Sequence, residues 1–568
     1  MDYLRTKLRG YDYMSASAKK KLRKEQSVAQ MTEKQLKEQK EAKKLKIYTT
    51  VFVVAIVAVL VAGLVFAGIN LYTKSGIVEK NMVAGTVNDE QINSVQMSYY
   101  YIDTVNSTFS QWSDSYGDSM SMYLSFMGLD PAKPLSEQAY NEELTWADYF
   151  VEYAFEQAKS EYLLADAAEA AGFTLSEDDK LALENTISTM TMYAAMYGYK
   201  DVDTYLKATY GPGADEASYR EYHAKSTLAA AYYQAYGESI EIGNADIRAY
   251  EEGRYNEFSS YKFATYHLSY ESYLTGGVEN EEGKMTYTDE QKQAARDAAM
   301  ADAEMLAQCT TVEELDAAIA KLSATATSLP TSCTVFDNSL YSAISSVYRD
   351  WLTEESRKEG DAKAFAYEST VEHNEDGTDT AVANDFYTVL FLGIENNETK
   401  MADVRHILAK FDGGTTDDHG HTTYTDEEKA AAKADAEAIL AELTADGSVT
   451  EEEFSDMAYA KSEDTGSSHN GGLFENVTPK DGVYVDAFKD WAMDPARVAG
   501  DTGIIETEYG YHIMYYVGDA EMNYRDYLIS EQIRSERLSE WYNGILEAGT
   551  ASLGDTSRLN KELVLSAA

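Results

Sequence analysis

The chain has 568 residues, 44% of them hydrophobic, and a formal net charge of −49. This length allows several domains, each with a hydrophobic core. A chain with so large a negative charge is not expected to bind nucleic acid, which is itself a polyanion. The acidic surface is expected mainly to keep the protein soluble, and attraction to cationic chains or divalent ions is the alternative interpretation.

Charge is unevenly distributed along the sequence. Residues 1–46 contain 14 Lys or Arg and 6 Asp or Glu, whereas the rest of the chain is acidic. Between these regions, residues 47–73 have no charge, and residues 51–69 are 19 consecutive apolar or Gly residues. As a helix this run would span about 28 Å, close to the ~30 Å hydrocarbon core of a bilayer. The pattern predicts a transmembrane helix over residues 47–73.

Lys43, Lys44 and Lys46 directly precede the apolar run. The positive-inside rule therefore predicts a cytoplasmic basic tail over residues 1–46 and an extracytoplasmic remainder. The basic leader and the apolar core are both too long for a cleaved signal peptide. The tail is expected to lie on anionic lipid, and a cytoplasmic binding partner is the alternative.

Residues 75–255 are predicted to be mostly helical after a short strand and turn at residues 83–92. Apolar residues recur three and four positions apart over residues 181–196 and 219–236, which is typical of helices with one buried face. Gly211 and Pro212 form a helix stop between these two segments.

Residues 258–395 (the first copy) and 399–520 (the second copy) show an internal repeat. The run YHL at 266–268 matches RHI at 405–407 with an offset of 139, and TYTDE at 286–290 recurs at 423–427 with an offset of 137. Such steady offsets indicate duplication. Capping-box pairs such as Thr450 with Glu453 mark helix starts, so each copy is predicted as strand, helix, helix, loop, Trp-bearing helix and strand.

The second copy carries four motifs in a fixed order. They are VRHIL at 404–408, SEDTGS at 462–467, NGGLF at 470–474 and ETEYGYHIMYYV at 506–517. Their order and spacing resemble those of the parvulin type of peptidyl-prolyl cis-trans isomerase. More diffusely, the strand and helices of residues 75–255 resemble the N-terminal chaperone region of PrsA- and SurA-type extracytoplasmic foldases.

The parvulin resemblance implies a catalytic set and a proline pocket. The catalytic set would be His406, Asp464, Thr507 and His512. The pocket would have Phe488 as its floor, with Met493 and either Tyr484 or Val485 as walls. No covalent bond breaks in prolyl isomerisation, so such a site need only favour the twisted amide over both planar forms. The alternative for the two histidines is a hydrogen-bonded polar pair without a chemical role.

The first copy lacks most of these features. Its closing strand, residues 386–391, has no His, and nothing in it matches the loop at 462–467 or the Gly-Gly turn. It is therefore predicted to be catalytically inactive and to serve as a spacer or a peptide-binding surface. His267 is expected to be a core residue.

Three other patterns are weaker. A loop with two acids and two histidines could bind zinc, although a solvated loop is favoured; these residues are Asp417, Asp418, His419 and His421. A hydrolase built from Ser462, Asp464 and His512 would lack a nucleophile elbow. Cys309 and Cys333 could form a disulfide or remain buried thiols. No cofactor and no metal is expected.

The expected fold class is α+β. Its parts are a transmembrane helix, a helical chaperone region over 75–255, tandem parvulin-like domains over 256–396 and 399–520, and a C-terminal segment over 521–568 whose helix packs on the chaperone region. The expected function is that of a single-pass, membrane-anchored isomerase and chaperone acting on unfolded exported proteins with X-Pro bonds. The alternative is an inactive holdase or assembly scaffold that uses the parvulin fold as a binding module.

Overall fold

The computed structural model describes residues 17–21, 33–280, 283–324, 328–368, 370–373, 379–417, 422–445, 447–480 and 482–565. The chain divides into two compact units. The first unit comprises Met1–Glu238 and Glu540–Ala568, and the second comprises Ser239–Ser539. Helices and sheets are both present, in agreement with the expected mixture of helix and strand.

The N-terminal part of the first unit is mainly helical and contains one β-hairpin. In chain order its elements are α1 (Glu33–Lys74), α2 (Ile77–Asn81), β1 (Val83–Val87), β2 (Glu90–Asn93), α3 (Ser94–Tyr116), α4 (Met120–Phe126), α5 (Trp146–Ala170), α6 (Glu177–Met196), α7 (Val202–Tyr210) and α8 (Glu216–Ser239). Residues 51–69 lie within α1. Among the described residues, no helix was found to be long and apolar enough to span a membrane, so the predicted anchor is not confirmed.

The second unit contains the two copies. After α9 (Asn244–Glu251), the first copy consists of β3 (Ser260–Ser269), β4 (Val278–Glu279), β5 (Met285–Thr286), α10 (Asp289–Leu306), α11 (Val312–Ser323), β6 (Thr334–Leu340), α12 (Arg349–Leu352), β7 (Ala362–Tyr367), β8 (Thr370–His373), β9 (Asp379–Val382) and β10 (Asp385–Glu395). The second copy consists of β11 (Lys400–Lys410), β12 (Thr415–Thr416), β13 (Thr422–Thr423), α13 (Asp426–Leu443), α14 (Glu451–Lys461), β14 (Leu473–Val477), α15 (Asp486–Ala492), β15 (Thr502–Glu506) and β16 (Gly510–Asn523).

The C-terminal segment begins with helix α16 (Tyr524–Ala548), followed by β17 (Ala551–Leu553). β17 pairs antiparallel with β1, so the first unit has a three-stranded sheet in the order β17-β1-β2. In the same unit Trp541 stacks on Tyr236 with ring centroids 3.8 Å apart. The end of the chain is thus part of the core and the sheet of the first unit.

Local sequence signals explain where the main helices of the first unit begin. Asn93 and Gln96 form a capping box at the start of α3, and Thr145 and Asp148 form one at the start of α5. Each box satisfies backbone N–H groups that a helix N-terminus otherwise leaves unpaired. Between α3 and α5 lies an aromatic core that includes the buried Trp146.

Both copies form a four-stranded antiparallel sheet with the same strand order. The order is β6-β3-β10-β7 in the first copy and β14-β11-β16-β15 in the second. Two strands of each four-stranded sheet were not predicted from the sequence. β6 and β14 lie in the predicted loop, and β7 and β15 precede the closing strand. These are edge strands, and β14 pairs with a strand about 70 residues distant in sequence, so local periodicity does not reveal them.

The bulges of the central strand pairs correct the alignment of the two copies. The β3–β10 pairing shifts register at Phe263, and the β11–β16 pairing shifts at Val404. Superposing these bulges places Thr265, not His267, at the position of His406. Tyr387 then occupies the position of His512. The alignment that pairs His267 with His406 is therefore two residues out of register with the structure.

His267 is not a core residue, so that prediction is wrong. Its side chain is 48% exposed and its Nε2 lies 2.8 Å from Oδ1 of Asp385. It lies near the end of the β3–β10 pair, where a polar side chain reaches both solvent and a neighbouring carboxylate. Cys309 and Cys333 are free thiols that contact the core of the first copy. Burial raises the pKa of both, that of Cys333 to about 12.

Two partly buried acids lie between the helices of the first unit. The Asp103 carboxylate accepts hydrogen bonds from the hydroxyls of Tyr210 at 2.9 Å and Tyr222 at 3.0 Å. Glu161 accepts one from Tyr100 at 2.8 Å. Burial raises the pKa of both acids, and no described basic side chain forms an ion pair with either.

A raised pKa in the folded state means that the native protein holds the proton more tightly than the unfolded chain does. Stability should therefore fall as pH rises from the ordinary carboxyl pKa of ~4 through the raised value. We expect Asp103→Asn to reduce this pH dependence of Tm, measured by calorimetry of the full chain from about pH 4 to 8. Asp114→Asn, at an exposed acid of the same helix, is the control. Equal pH slopes for the parent and Asp103→Asn would contradict the expectation.

Candidate functional site

The centre of the candidate site is a pair of histidines on adjacent strands of the second copy. His406 on β11 is directly opposite Met514 on β16, and His512 is two residues from Met514 on the same face of the sheet. The Nδ1 atoms of the two rings are 2.8 Å apart, and the residues are only 3% and 6% exposed. The pairing register alone thus brings two residues 106 positions apart in sequence into hydrogen-bond contact.

Asp464 extends the pair into a longer chain of hydrogen bonds. Its Oδ2 lies 2.8 Å from Nε2 of His406, and the Ser467 hydroxyl donates to the same oxygen. At the other end, Oγ1 of Thr507 lies 2.8 Å from Nε2 of His512. Four side chains assigned from sequence, and Ser467 in addition, therefore form one continuous network.

The charge of Asp464 determines where the protons of the network lie. A carboxylate only accepts, so Nε2 of His406 carries the proton that faces it. Nδ1 of the neutral His406 must then accept from Nδ1–H of His512, which leaves Nε2 of His512 to accept from the Thr507 hydroxyl. Reversing this order would require a proton on Asp464. While Asp464 is ionised, hydrogen bonds are therefore donated in one direction only, from Thr507 through His512 and His406 to Asp464.

The pKa values agree with this assignment. Burial lowers the pKa of His406, although Asp464 partly opposes the shift. Burial and the neighbouring His406 lower the pKa of His512 to about 3. Burial alone would raise the pKa of Asp464, but hydrogen bonds from Ser467, His406 and the Gly466 N–H lower it overall. At neutral pH the site therefore contains two neutral imidazoles and one carboxylate.

The segment that carries Asp464 is fixed to the edge of β11. The Leu408 N–H donates to Oγ of Ser462 at 3.2 Å, and the Glu463 N–H donates to the Leu408 carbonyl at 3.0 Å. The Lys410 N–H donates to the Glu463 carboxylate at 2.7 Å. Because Ser462 is engaged with the backbone, and no bond joins it to His512, the arrangement does not fit a Ser/His/Asp hydrolase.

The Gly-Gly turn completes this attachment. The His406 N–H donates to the Gly472 carbonyl at 2.8 Å, so the turn lies directly against the strand. Gly472 has φ +72, and a Cβ atom there would lie 2.1 Å from the His406 carbonyl oxygen. Only glycine fits this position, because both the close approach and the left-handed backbone exclude a side chain.

An aromatic cluster lies beside the histidines on the same face of the sheet. The Phe488 ring is 5.6 Å from that of His406 and 6.1 Å from that of His512, nearly perpendicular to the first. Tyr484 stacks on Phe488 at 5.8 Å, and Phe474 contacts both Phe488 and His406. Met493 is a partly buried member of the same apolar cluster. Phe474 was not among the pocket residues predicted from the sequence.

The structure therefore brings all of the proposed site residues of the second copy together. The two that were missed, Ser467 and Phe474, both lie inside motifs quoted from the sequence, three residues after Asp464 and two after Gly472. A polar residue three positions from an acid in a loop is a signal for Ser467, because such side chains often bond to each other locally. Of the proposed zinc loop, Asp418, His419 and His421 lie outside the described residues.

The first copy keeps the scaffold but not the polar chain. Thr265 and Tyr387 occupy the histidine positions, and a ring at the position of Phe488 is retained as Tyr348. The Trp and Arg following the pocket are retained in both copies, with Arg357 over Trp351 and Arg497 over Trp491 at 4.1 and 4.3 Å.

Comparison with known proteins identifies part of the chain. Residues 389–518 match the family model described as the PPIC-type PPIase domain. No curated protein matches the chain.

Some solved structures are similar to part of this chain. PrsA from Bacillus anthracis matches with 18% identity over 27% of this chain and 59% of its own, at a TM-score of 0.16. PrsA from Bacillus cereus matches with 19% identity, 29% and 57% coverage and a TM-score of 0.16.

A third match comes from the study of PEB4 and Cj1289, two SurA-like chaperones of Campylobacter jejuni. It has 22% identity, covers 26% of this chain and 51% of the other, and has a TM-score of 0.15. The present chain thus spans little more than half the length of the solved chains it matches, and TM-scores this low do not establish a shared overall fold. The domain match, by contrast, covers the entire site described above, and residues 389–518 belong to the PPIC-type, or parvulin, family of peptidyl-prolyl isomerases.

Proposed function

We propose that the second copy catalyses cis-trans isomerisation of X-Pro bonds. The observation that carries the proposal is the directed hydrogen-bond chain from Thr507 to Asp464 beside the apolar cluster around Phe488. An apolar surface next to fixed polar groups is what a proline ring and its preceding carbonyl require. The family match of residues 389–518 supports the same activity.

The reaction needs no acid, base or nucleophile, because only rotation about a partial double bond occurs. In the twisted amide the carbonyl loses resonance and becomes less polar, while the nitrogen becomes more basic. A carboxylate near the carbonyl disfavours the planar, more dipolar amide and so lowers the barrier. Asp464 has this role in our proposal, and Ser467 and His406 hold it ionised and in place. Phe488 and Tyr484 would hold the proline ring.

The full chain is proposed to act as an extracytoplasmic, membrane-anchored foldase for unfolded exported proteins. The uncharged run at residues 51–69, preceded by three lysines, supports the anchor and its orientation. The acidic remainder of the chain and the family match support substrates that are polypeptides.

A chaperone function that does not depend on isomerisation is favoured by one further observation. Several large apolar side chains of the first unit are exposed, among them Phe126 at 86% and Met122 at 70% on α4. Met196 and Tyr197, at 61% and 64%, are exposed at the end of α6. Exposed side chains of this kind offer adaptable contacts to unfolded segments.

Replacement of Asp464 tests the isomerase. We expect Asp464→Asn to lower kcat/KM for X-Pro peptides on the order of 100-fold, because the charge that orients the histidines is lost. Asp490→Asn, an exposed acid on α15, should leave the rate unchanged. His267→Ala should also be silent if the activity lies in the second copy. A parent chain without activity, or an active Asp464→Asn variant, would contradict the proposal.

The pKa values predict how the rate depends on pH. His512, with its pKa lowered to about 3, remains neutral and Asp464, with its pKa below the ordinary value, remains ionised from about pH 5 to 8, so His512 should produce no inflection of kcat/KM in that range. An ordinary imidazole would titrate near pH ~6.5 within that range. An inflection near this pH that disappears in His512→Asn would show that a histidine changes charge during the reaction, contrary to the proposal.

Membrane anchoring is tested by two lysines at the centre of the apolar run. Leu60→Lys with Val61→Lys should release the chain from membranes during alkaline carbonate extraction, because each charge costs about 3 kcal/mol at mid-bilayer. Tyr72→Lys, at the end of the uncharged stretch, is the matched control and should stay in the membrane fraction. Release of the parent chain by carbonate would overturn the anchor.

A further inference from the structure

A groove of about 740 Å³ lies on the helix side of the second copy, away from the histidine face of its sheet. Its floor consists of small or aliphatic side chains from β11 and α13, including Ala409, Ala432, Ala438 and Ile439. The alanine-rich sequence of α13 produces this depression, since Ala side chains leave the space between the helix and the end of β11 unfilled.

The rim of the groove is negatively charged. Six carboxylates line it against two lysines, and one of those lysines, Lys461, is ion-paired with Glu442. Asp412, Glu427 and Asp435 are exposed and have no ion-pair partner among the described residues. An apolar floor with an unneutralised acidic rim is complementary to a peptide with both aliphatic stems and positive charges, as Lys and Arg provide.

The groove is linked to the candidate site through one short segment. Successive residues of this segment point to opposite sides of the sheet edge, so Glu463 lines the groove while Asp464 bonds to His406. The backbone of Glu463 is held by Leu408, and its carboxylate by the Lys410 N–H. A chain bound in the groove would therefore contact the residue that precedes the carboxylate of the histidine network.

We propose that this groove binds a Lys- or Arg-bearing segment of the polypeptide substrate, and so confers a preference for basic clients. The inference rests on the proposed function only for the identity of the ligand, and its binding step is independent of isomerisation. The groove holds the substrate by charge and by contact with its aliphatic stems, while the opposite face of the domain acts on the X-Pro bond.

Binding of two labelled nonapeptides to the full chain tests the proposal. One alternates Ala with Lys and the other alternates Ala with Glu, and affinity is measured by fluorescence anisotropy at low and at raised salt. We expect the Lys peptide to bind at least about tenfold more tightly at low salt, with the difference shrinking as salt screens the charges. Equal affinities for the two peptides would overturn the proposal.

Because the chain has a net charge of −49, a general electrostatic attraction must be separated from binding in the groove. Asp435→Lys should lower the affinity for the Lys peptide about fivefold. Glu437→Lys makes the same charge change on another face of α13, outside the groove, and should leave the affinity unchanged. Ala438→Trp fills the floor without changing charge and should weaken binding as well. Equal effects of Asp435→Lys and Glu437→Lys, or unchanged binding by Ala438→Trp, would show that the groove is not the site.

Isomerisation assays separate this inference from the proposed function. With X-Pro substrates that differ only in a flanking Lys or Glu, the parent should prefer the Lys substrate through a lower KM, and Asp435→Lys should reduce that preference with kcat unchanged. Asp464→Asn should lose the isomerase rate but keep the affinity for the Lys peptide. A chain that binds the Lys peptide in the groove but has no isomerase activity would retain this inference and reject the isomerase.

Discussion

The ionised carboxylate of Asp464 is the interaction on which the candidate site depends. It fixes the proton of His406 on Nε2, and this in turn fixes the tautomer of His512 and the donor role of Thr507. Buried imidazoles without such an acceptor could adopt either tautomer and either direction of hydrogen bonding. The carboxylate is itself kept ionised by the groups around it, above all the Ser467 hydroxyl and His406. The ionisation of Asp464 and the tautomers of the two histidines therefore depend on one another.

The first copy shows that the fold does not need this arrangement. Its sheet has the same strand order, and its Trp–Arg stack has nearly the same geometry as that of the second copy. Thr265 and Tyr387 replace the histidines, and Tyr348 provides an aromatic ring at the pocket position. Within one chain, the sheet and the Trp–Arg stack are thus kept in both copies, whereas the histidine network is present in only one. The histidine pair of the second copy is consequently not required for packing of this fold, which favours a functional explanation for its presence.

The structure brings together the side chains that the sequence motifs singled out, whereas several strands around them were not predicted. Asp464, His406 and His512 were found because each lies in a short motif whose chemistry is local, with an inward position on a strand or a polar loop. Edge strands such as β14 were missed because their pairing partner is distant in sequence and their length is only 5 residues. The position of His267 was misjudged for a similar reason: a match of residue letters cannot show a bulge, and a bulge determines which residue faces the pocket.

The segment from Ser462 to Gly472 concentrates these constraints in one stretch of chain. Its start is bonded to Leu408, its middle presents Asp464, and its end lies against the His406 backbone at a position that only glycine can occupy. An acid placed on a free loop would exchange hydrogen bonds with water and lose its orientation, whereas here the backbone is held directly before the carboxylate at Glu463 and again at Gly472. Because the same segment forms a wall of the acidic groove through Glu463, one piece of backbone defines both surfaces. The positions of Glu463 in the groove and of Asp464 in the histidine network are therefore set by the same hydrogen bonds to Leu408.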